Sequence, residues 1–211
     1  MERFTIRLAA TARLTAAMLA SMAVTTVAVT TVAVTTVAVT TVSAEPEPRS
    51  ADLEDQARGL VQQFAAELKP RLKQALATGG PTHAIEVCAS EAPRIADALS
   101  EQSGWAVRRV SLRARNASRA TPDDWERGIL EQFDQRQAAG ETAADLRASA
   151  TSGGTYRYMQ AQGVEGVCLV CHGESLARAI ADTLEQYYPD DAATGYSMGQ
   201  VRGAISLSKE L

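Results

Sequence analysis

Apolar residues recur at helical spacing from Ser50 to Thr78. Leu53, Leu60, Phe64, Leu68, Leu72 and Leu76 share one stripe, with Glu, Gln and Lys between them, and this predicts an amphipathic helix. Ser50 is expected to cap its start and Gly79-Gly80 to end it. Pro70 lacks an amide donor and is expected to kink or split the helix near Lys69. A second helix is predicted over Pro81–Ser103, with Ile85, Cys88, Ala92, Ile95, Ala96 and Leu99 as its stripe and Gly104 as its stop. The alanines on that stripe let another group approach the helix closely.

Trp105–Arg113 reads as a strand. Thr121-Pro122-Asp123-Asp124 reads as a helix start, with threonine as cap, proline at the first position and acids in the first turn. Trp125, Ile129, Leu130 and Phe133 give that helix its inner face, and it ends near Gly140. Residues 141–152 are polar and carry no clear period. Gly153-Gly154 marks a turn, Thr155–Ala161 a strand, Ser175 to Pro189 a short helix with Leu176, Ile180 and Leu184 on one side, and Gln200–Leu207 a last strand. Helices and strands mix without a regular βαβ rhythm. The expected class is α+β with an antiparallel sheet.

The first 44 residues stand apart. Arg3, Arg7 and Arg13 precede an uncharged stretch from Leu14 to Ala44, and Val42-Ser43-Ala44 has the small-x-small pattern of a signal-peptidase site. Ala23–Val42 is four copies of AVTTV, a low-complexity run in which no copy can form a supersecondary unit. The stretch is long enough to span a bilayer. It is expected to be cleaved or, as the second choice, to stay as an N-terminal anchor. Either way residues 45–211 are exported, as one domain in the periplasm. The chain carries −4, and the three arginines and one glutamate of the leader leave −6 for the exported part. An acidic domain without a basic block excludes nucleic acid as a partner class.

Cys168-Leu169-Val170-Cys171-His172 is C-x-x-C-H, the attachment signature for a c-type haem. Two thiols at this spacing reach the two vinyl groups of a porphyrin as thioethers, and the following histidine is carried under the ring as proximal iron ligand. A thioredoxin-like pair needs a βαβ context. A zinc site would take Cys168, Cys171, His172 and Cys88 as a Cys3His set. The exported leader favours haem, because attachment of this kind takes place outside the cytosol. The sixth iron position has five candidate answers: Cys88, His83, Met159, Met198 or no ligand. His83 and Cys88 lie about 140° apart around one helix, so both cannot face the same iron. Arg113 and Arg115 are candidate partners of the haem propionates, since guanidinium suits carboxylate pairs.

Several stretches in order carry a family resemblance. They are Ala84-Ile85-Glu86-Val87-Cys88 with Ala92-Pro93, Arg109, Ser111-Leu112, Arg115-Asn116, and Pro122-Asp123 with Trp125-Glu126. Cys168 to Gly173, Tyr188-Pro189 through Asp191, Gly195-Tyr196, Gly199 and Arg202-Gly203-Ala204 complete the set. Over nearly all of 50–208 the chain resembles the exported monohaem c domains with a PAS-like fold, first described structurally from a cyanobacterial member. The resemblance implies a PAS-like antiparallel sheet flanked by helices, with iron held by the motif histidine, here His172, and a cysteine, here Cys88. Gln200 and Ser118-Arg119-Ala120 depart from the family pattern in loops.

A thiolate ligand stabilises oxidised iron and lowers its potential, and it weakens on reduction. The expected function is therefore redox or gas sensing, with a small gaseous ligand or a redox partner. Soluble periplasmic electron transfer is the alternative. No distal acid–base constellation is visible for an enzyme such as a peroxidase.

Overall fold

The computed structural model describes residues 49–211, so the expectations for the leader, its repeats and its cleavage site lie outside the described residues. Helix α1 runs from Ser50 to Ser103 and is broken once, at Gly80, whose φ of 72° and ψ of −168° are not helical. The two predicted helices are thus the two arms of α1. Pro70 does not split the first arm, because helical dihedrals run through it. Phe64 and Leu68 before it and Ala75 after it are all drawn into the interior. Packing on both sides of the proline outweighs one missing hydrogen bond.

Strand β1 (Ala106–Val110) is shorter than predicted. A single helical turn, α2 (Ala117–Ala120), leads to helix α3 (Asp124–Ala138). The cap of α3 is Asp123, not Thr121. The Asp123 carboxylate accepts from the Glu126 amide at 2.9 Å, and the Glu126 carboxylate accepts from the Asp123 amide at 2.8 Å. This reciprocal pair outcompetes a lone hydroxyl two residues earlier. Trp125 is only half-buried, with the Arg157 guanidinium stacked on its ring at 4.3 Å.

Strand β2 (Arg147–Ser152) occupies the polar segment that carried no period. It pairs with β3 (Thr155–Gly163) through the Gly153-Gly154 turn, where both glycines have positive φ. After the motif turn come helix α5 (Arg178–Tyr187), which starts three residues later than predicted, and strand β4 (Val201–Glu210), which runs three residues further than predicted. The order in the sheet is β1-β4-β3-β2, antiparallel throughout. The fold is α+β, an antiparallel sheet with helices on both faces, as expected.

Strand alternation divides the core. Val107, Tyr158, Ile205 and Leu207 face α1, where they meet Leu53, Phe64, Ile95 and Leu99. Val110, Met159, Ala161 and Ala204 face α3, where they meet Leu130 and Phe133. Met159, one of the sixth-ligand candidates, is fully buried in this second cluster.

The β3–β4 ladder has one irregularity. Gln162 pairs with Gly203, but Gly163 pairs with Val201, which leaves Arg202 without a partner in the ladder. Regular alternation would put Arg202 on the α3 face with Ala204. The bulge re-aims it. Gly203 makes the bulge feasible: its φ is 152°, and a Cβ there would lie 2.4 Å from the Val110 carbonyl oxygen.

Candidate cofactor cavity

A cavity of about 420 Å3 opens between the α1 arms, β1, the motif turn and the start of β4. Its size falls within the range of small-molecule and cofactor sites. On one side α1 supplies Leu68, Leu72, Leu76, Ile85 and Cys88. The other side brings Cys168, Cys171 and His172 together with arginines from β1, the loop after it and β4.

The motif folds as a 3-10 turn, Gly166–Cys168, that runs into a single helical turn, α4 (Leu169–His172). This winding places both cysteines and the histidine on the cavity. Cys168 and Leu169 pack on Val164, Ala193 and Tyr196. Cys171 packs on Ile85, Ile180 and Leu184. The motif is therefore wedged between the α1–α5 contact and the loop that precedes β4.

The state of His172 is set by its partner. Nδ1 lies 2.6 Å from the carbonyl oxygen of Ala193. A carbonyl only accepts, so Nδ1 carries the proton and Nε2 keeps its lone pair. Burial and the nearby Arg202 and Arg115 charges push the imidazole pKa down to about 2, so the ring is neutral across the physiological range. A neutral imidazole whose second nitrogen is tied to a backbone carbonyl is how a metal-ligating histidine is usually prepared. The Arg202 guanidinium stands 3.4 Å from Nε2.

Cys88 lines the cavity from the second arm of α1. Burial raises its thiol pKa, while the charges of Arg109, Arg202 and Arg115 pull in the opposite direction. The other sixth-ligand candidates are elsewhere. His83 is half-buried, 3.3 Å from the Glu86 carboxylate. Met159 is in the core against α3, and Met198 is 62% exposed. None of the three lines the cavity.

Both predicted propionate arginines reach the cavity wall, and both already have partners there. Arg115 forms an ion pair with Asp191 at 3.2 Å and donates to the carbonyls of Cys171 and Ala193. The Ala193 carbonyl is the same one that accepts from His172. Arg115 thus ties the motif turn to the loop that orients its histidine. Arg113 lies flat on the Tyr196 ring, 3.7 Å from its centroid, and donates to the Thr194 carbonyl at 3.0 Å. Sequence reasoning passed over two other arginines as binding groups. Arg109 donates from Nε to the Gln162 side chain at 3.1 Å, and Arg202 faces His172. Burial first, and then the Arg202 charge, push the Arg109 pKa down to about 9. Burial likewise lowers that of Arg202.

The residues present fit a haem. One cavity holds the two motif thiols, a ligand-ready imidazole nitrogen, a third sulfur and an apolar wall. The alternatives fit less well. Among the described residues no three His, Cys, Asp or Glu side chains gather closely enough for a bare ion, so the Cys3His zinc set does not form. The antiparallel sheet offers no βαβ unit for a thioredoxin-like pair.

Comparison with known proteins agrees with this fold. A crystal structure of the cyanobacterial heme-protein Tll0287 matches with a TM-score of 0.60 and 24% identity, over 77% of this chain and 97% of that one. No curated protein matches. The Tll0287-like family model matches residues 8–209, nearly the whole chain, and the protein belongs to that family.

Proposed function

We propose that the cavity holds one covalent haem c. Cys168 and Cys171 would each add a thiol across a vinyl group to form a thioether, His172 Nε2 would bind the iron, and Cys88 Sγ would be the second axial ligand. The observation that carries this reading is the fixed tautomer of His172, which presents an unprotonated Nε2 in the cavity that the two motif cysteines share. The family's cyanobacterial heme-protein supports it. The bound group would supply reversible one-electron chemistry and a coordination position for small ligands.

The chain's own residues favour sensing of redox state or of a small gaseous ligand. Cys88 is a sulfur that its surroundings pull two ways: three arginine charges support a thiolate, and burial favours the thiol. Such a ligand can be detached by protonation. One observation favours the second reading, electron transfer between periplasmic partners. Val167 and Val170, in and beside the motif turn, are 40% and 38% exposed and offer an apolar docking spot beside the cofactor. The leader and the attachment chemistry both support export to the periplasm, with any membrane attachment through the N-terminal segment alone.

Optical spectra of the matured protein, wild type against Cys88→Ala, test the ligand assignment. Loss of the Cys88 sulfur should shift the oxidised spectrum. An unchanged spectrum contradicts cysteine ligation. Carbon monoxide binding to the reduced wild type supports sensing, and an inert reduced form supports the shuttle.

A further inference from the structure

Six arginines line the cavity, and none of the described residues that line it is a carboxylate. Three of the six are ion-paired, and a fourth, Arg113, is exposed to solvent. Arg115 is paired with Asp191, Arg119 with Asp97, and Arg108 with Glu126, while Arg113 is stacked on Tyr196. Arg109 and Arg202 are left. Among the described residues neither makes an ion pair. Arg109 has a neutral amide as partner and the Phe64 ring centroid 5.9 Å away, and Arg202 has a neutral imidazole. A guanidinium drawn out of water without a counter-charge is costly, and the fold meets that cost twice in one wall.

The arrangement is built rather than incidental. Arg109 comes from β1, with its side chain reaching across to Gln162 of β3. Arg202 is on the cavity side only because the β4 bulge turns it there, and that bulge depends on a glycine at 203. Opposite them stands the apolar wall of α1. The cavity is therefore amphiphilic, with hydrocarbon on one side and two uncompensated cations on the other.

We propose that Arg109 and Arg202, rather than Arg113 and Arg115, seat the two carboxylates of the porphyrin. The proposal rests on the haem reading of the cavity. Each guanidinium supplies paired donors that match a carboxylate. The two propionates would bring the two negative charges that this wall lacks. Arg202 would then exchange its weak contact with His172 Nε2 for a carboxylate, freeing that lone pair.

The test is fluorescence titration of the haem-free full chain with zinc protoporphyrin IX and, separately, with its dimethyl ester. The two probes differ only in whether the carboxylates are free or esterified. The wild-type chain should bind the diacid at least about tenfold more tightly than the ester. Arg109→Gln and Arg202→Gln should each remove about tenfold of that preference, whereas Arg119→Gln, whose arginine is already paired, should keep it. Equal affinities of the wild type for the two probes would overturn the proposal, as would a preference that survives both glutamine variants. If neither porphyrin binds, the haem reading itself fails and this one falls with it. Should a glutamine variant lose its fold by circular dichroism, Arg109→Lys and Arg202→Lys decide instead. They retain the charge and should retain most of the preference, and loss of the preference in a folded lysine variant counts against a charge-based seat.

Discussion

On the α3 face of the sheet the buried charge is Glu126, and on the cavity side the half-buried charges are Arg109 and Arg202. Glu126 is 1% exposed, yet every part of it is answered from within the chain. Ser206 donates to it at 2.7 Å, the Asp123 amide at 2.8 Å, and Arg108 and Arg157 stand at 3.5 Å. The two arginines have only neutral partners. One face is finished by folding and the other is left for a ligand to finish. The contrast teaches that an unbalanced charge in a cavity wall carries information about the ligand's charge, whereas a balanced one in the core carries information about the fold.

Four substitutions test this contrast, from the largest effect to the smallest. Glu126→Ala should cost about 2–4 kcal/mol in urea unfolding, because it leaves the buried Ser206 hydroxyl and the Asp123 amide without their acceptor. A cost below about 1 kcal/mol would mean that the α3 face is not closed as described. Gly203→Ala should cost about 1–3 kcal/mol, since its Cβ meets the Val110 carbonyl at 2.4 Å, and it should return Arg202 toward the α3 face. Wild-type stability in this variant would mean that the bulge does not depend on glycine.

Asp123→Ala should cost about 1 kcal/mol by breaking the capping box of α3, with no effect on cofactor loading. Arg109→Gln in the haem-free chain should leave stability within about 0.5 kcal/mol of wild type or raise it, because it removes a half-buried charge that has no counter-ion. A large loss there would show that Arg109 already has a structural counter-charge, and the contrast would fail.

Much of this was legible in the residues, and the exceptions have physical reasons. The break in α1 was visible because Gly79-Gly80 with Pro81 after it can do little else. The C-x-x-C-H turn and Cys88 could be named from spacing and resemblance, and the structure brings them to one cavity. Strand β2 was not visible. Its residues Arg-Ala-Ser-Ala-Thr-Ser form a sheet edge with mostly exposed positions, so no apolar alternation marks them. Pro70 misled because local backbone chemistry was outweighed by packing that only the tertiary structure shows. The cationic wall was harder to read for a subtler reason. Arg113 and Arg115 sit close to recognisable turn residues, but Asp191, Tyr196 and two loop carbonyls, distant in sequence, engage them first. Arg202 was marked only as part of the family resemblance, with no pointer to the cavity, because strand alternation assigns it to the other face until the bulge is seen.

The central claim is that a haem is covalently fixed by Cys168 and Cys171. The most direct test is to express the chain with its leader in a host with active cytochrome c maturation, then compare wild type with a Cys168→Ala, Cys171→Ala double variant by denaturing gel and intact mass. The wild-type band should keep its haem-dependent peroxidase stain and weigh one haem more than the polypeptide, and the double variant should lose both. A wild-type polypeptide that runs unstained at its bare mass would contradict the account.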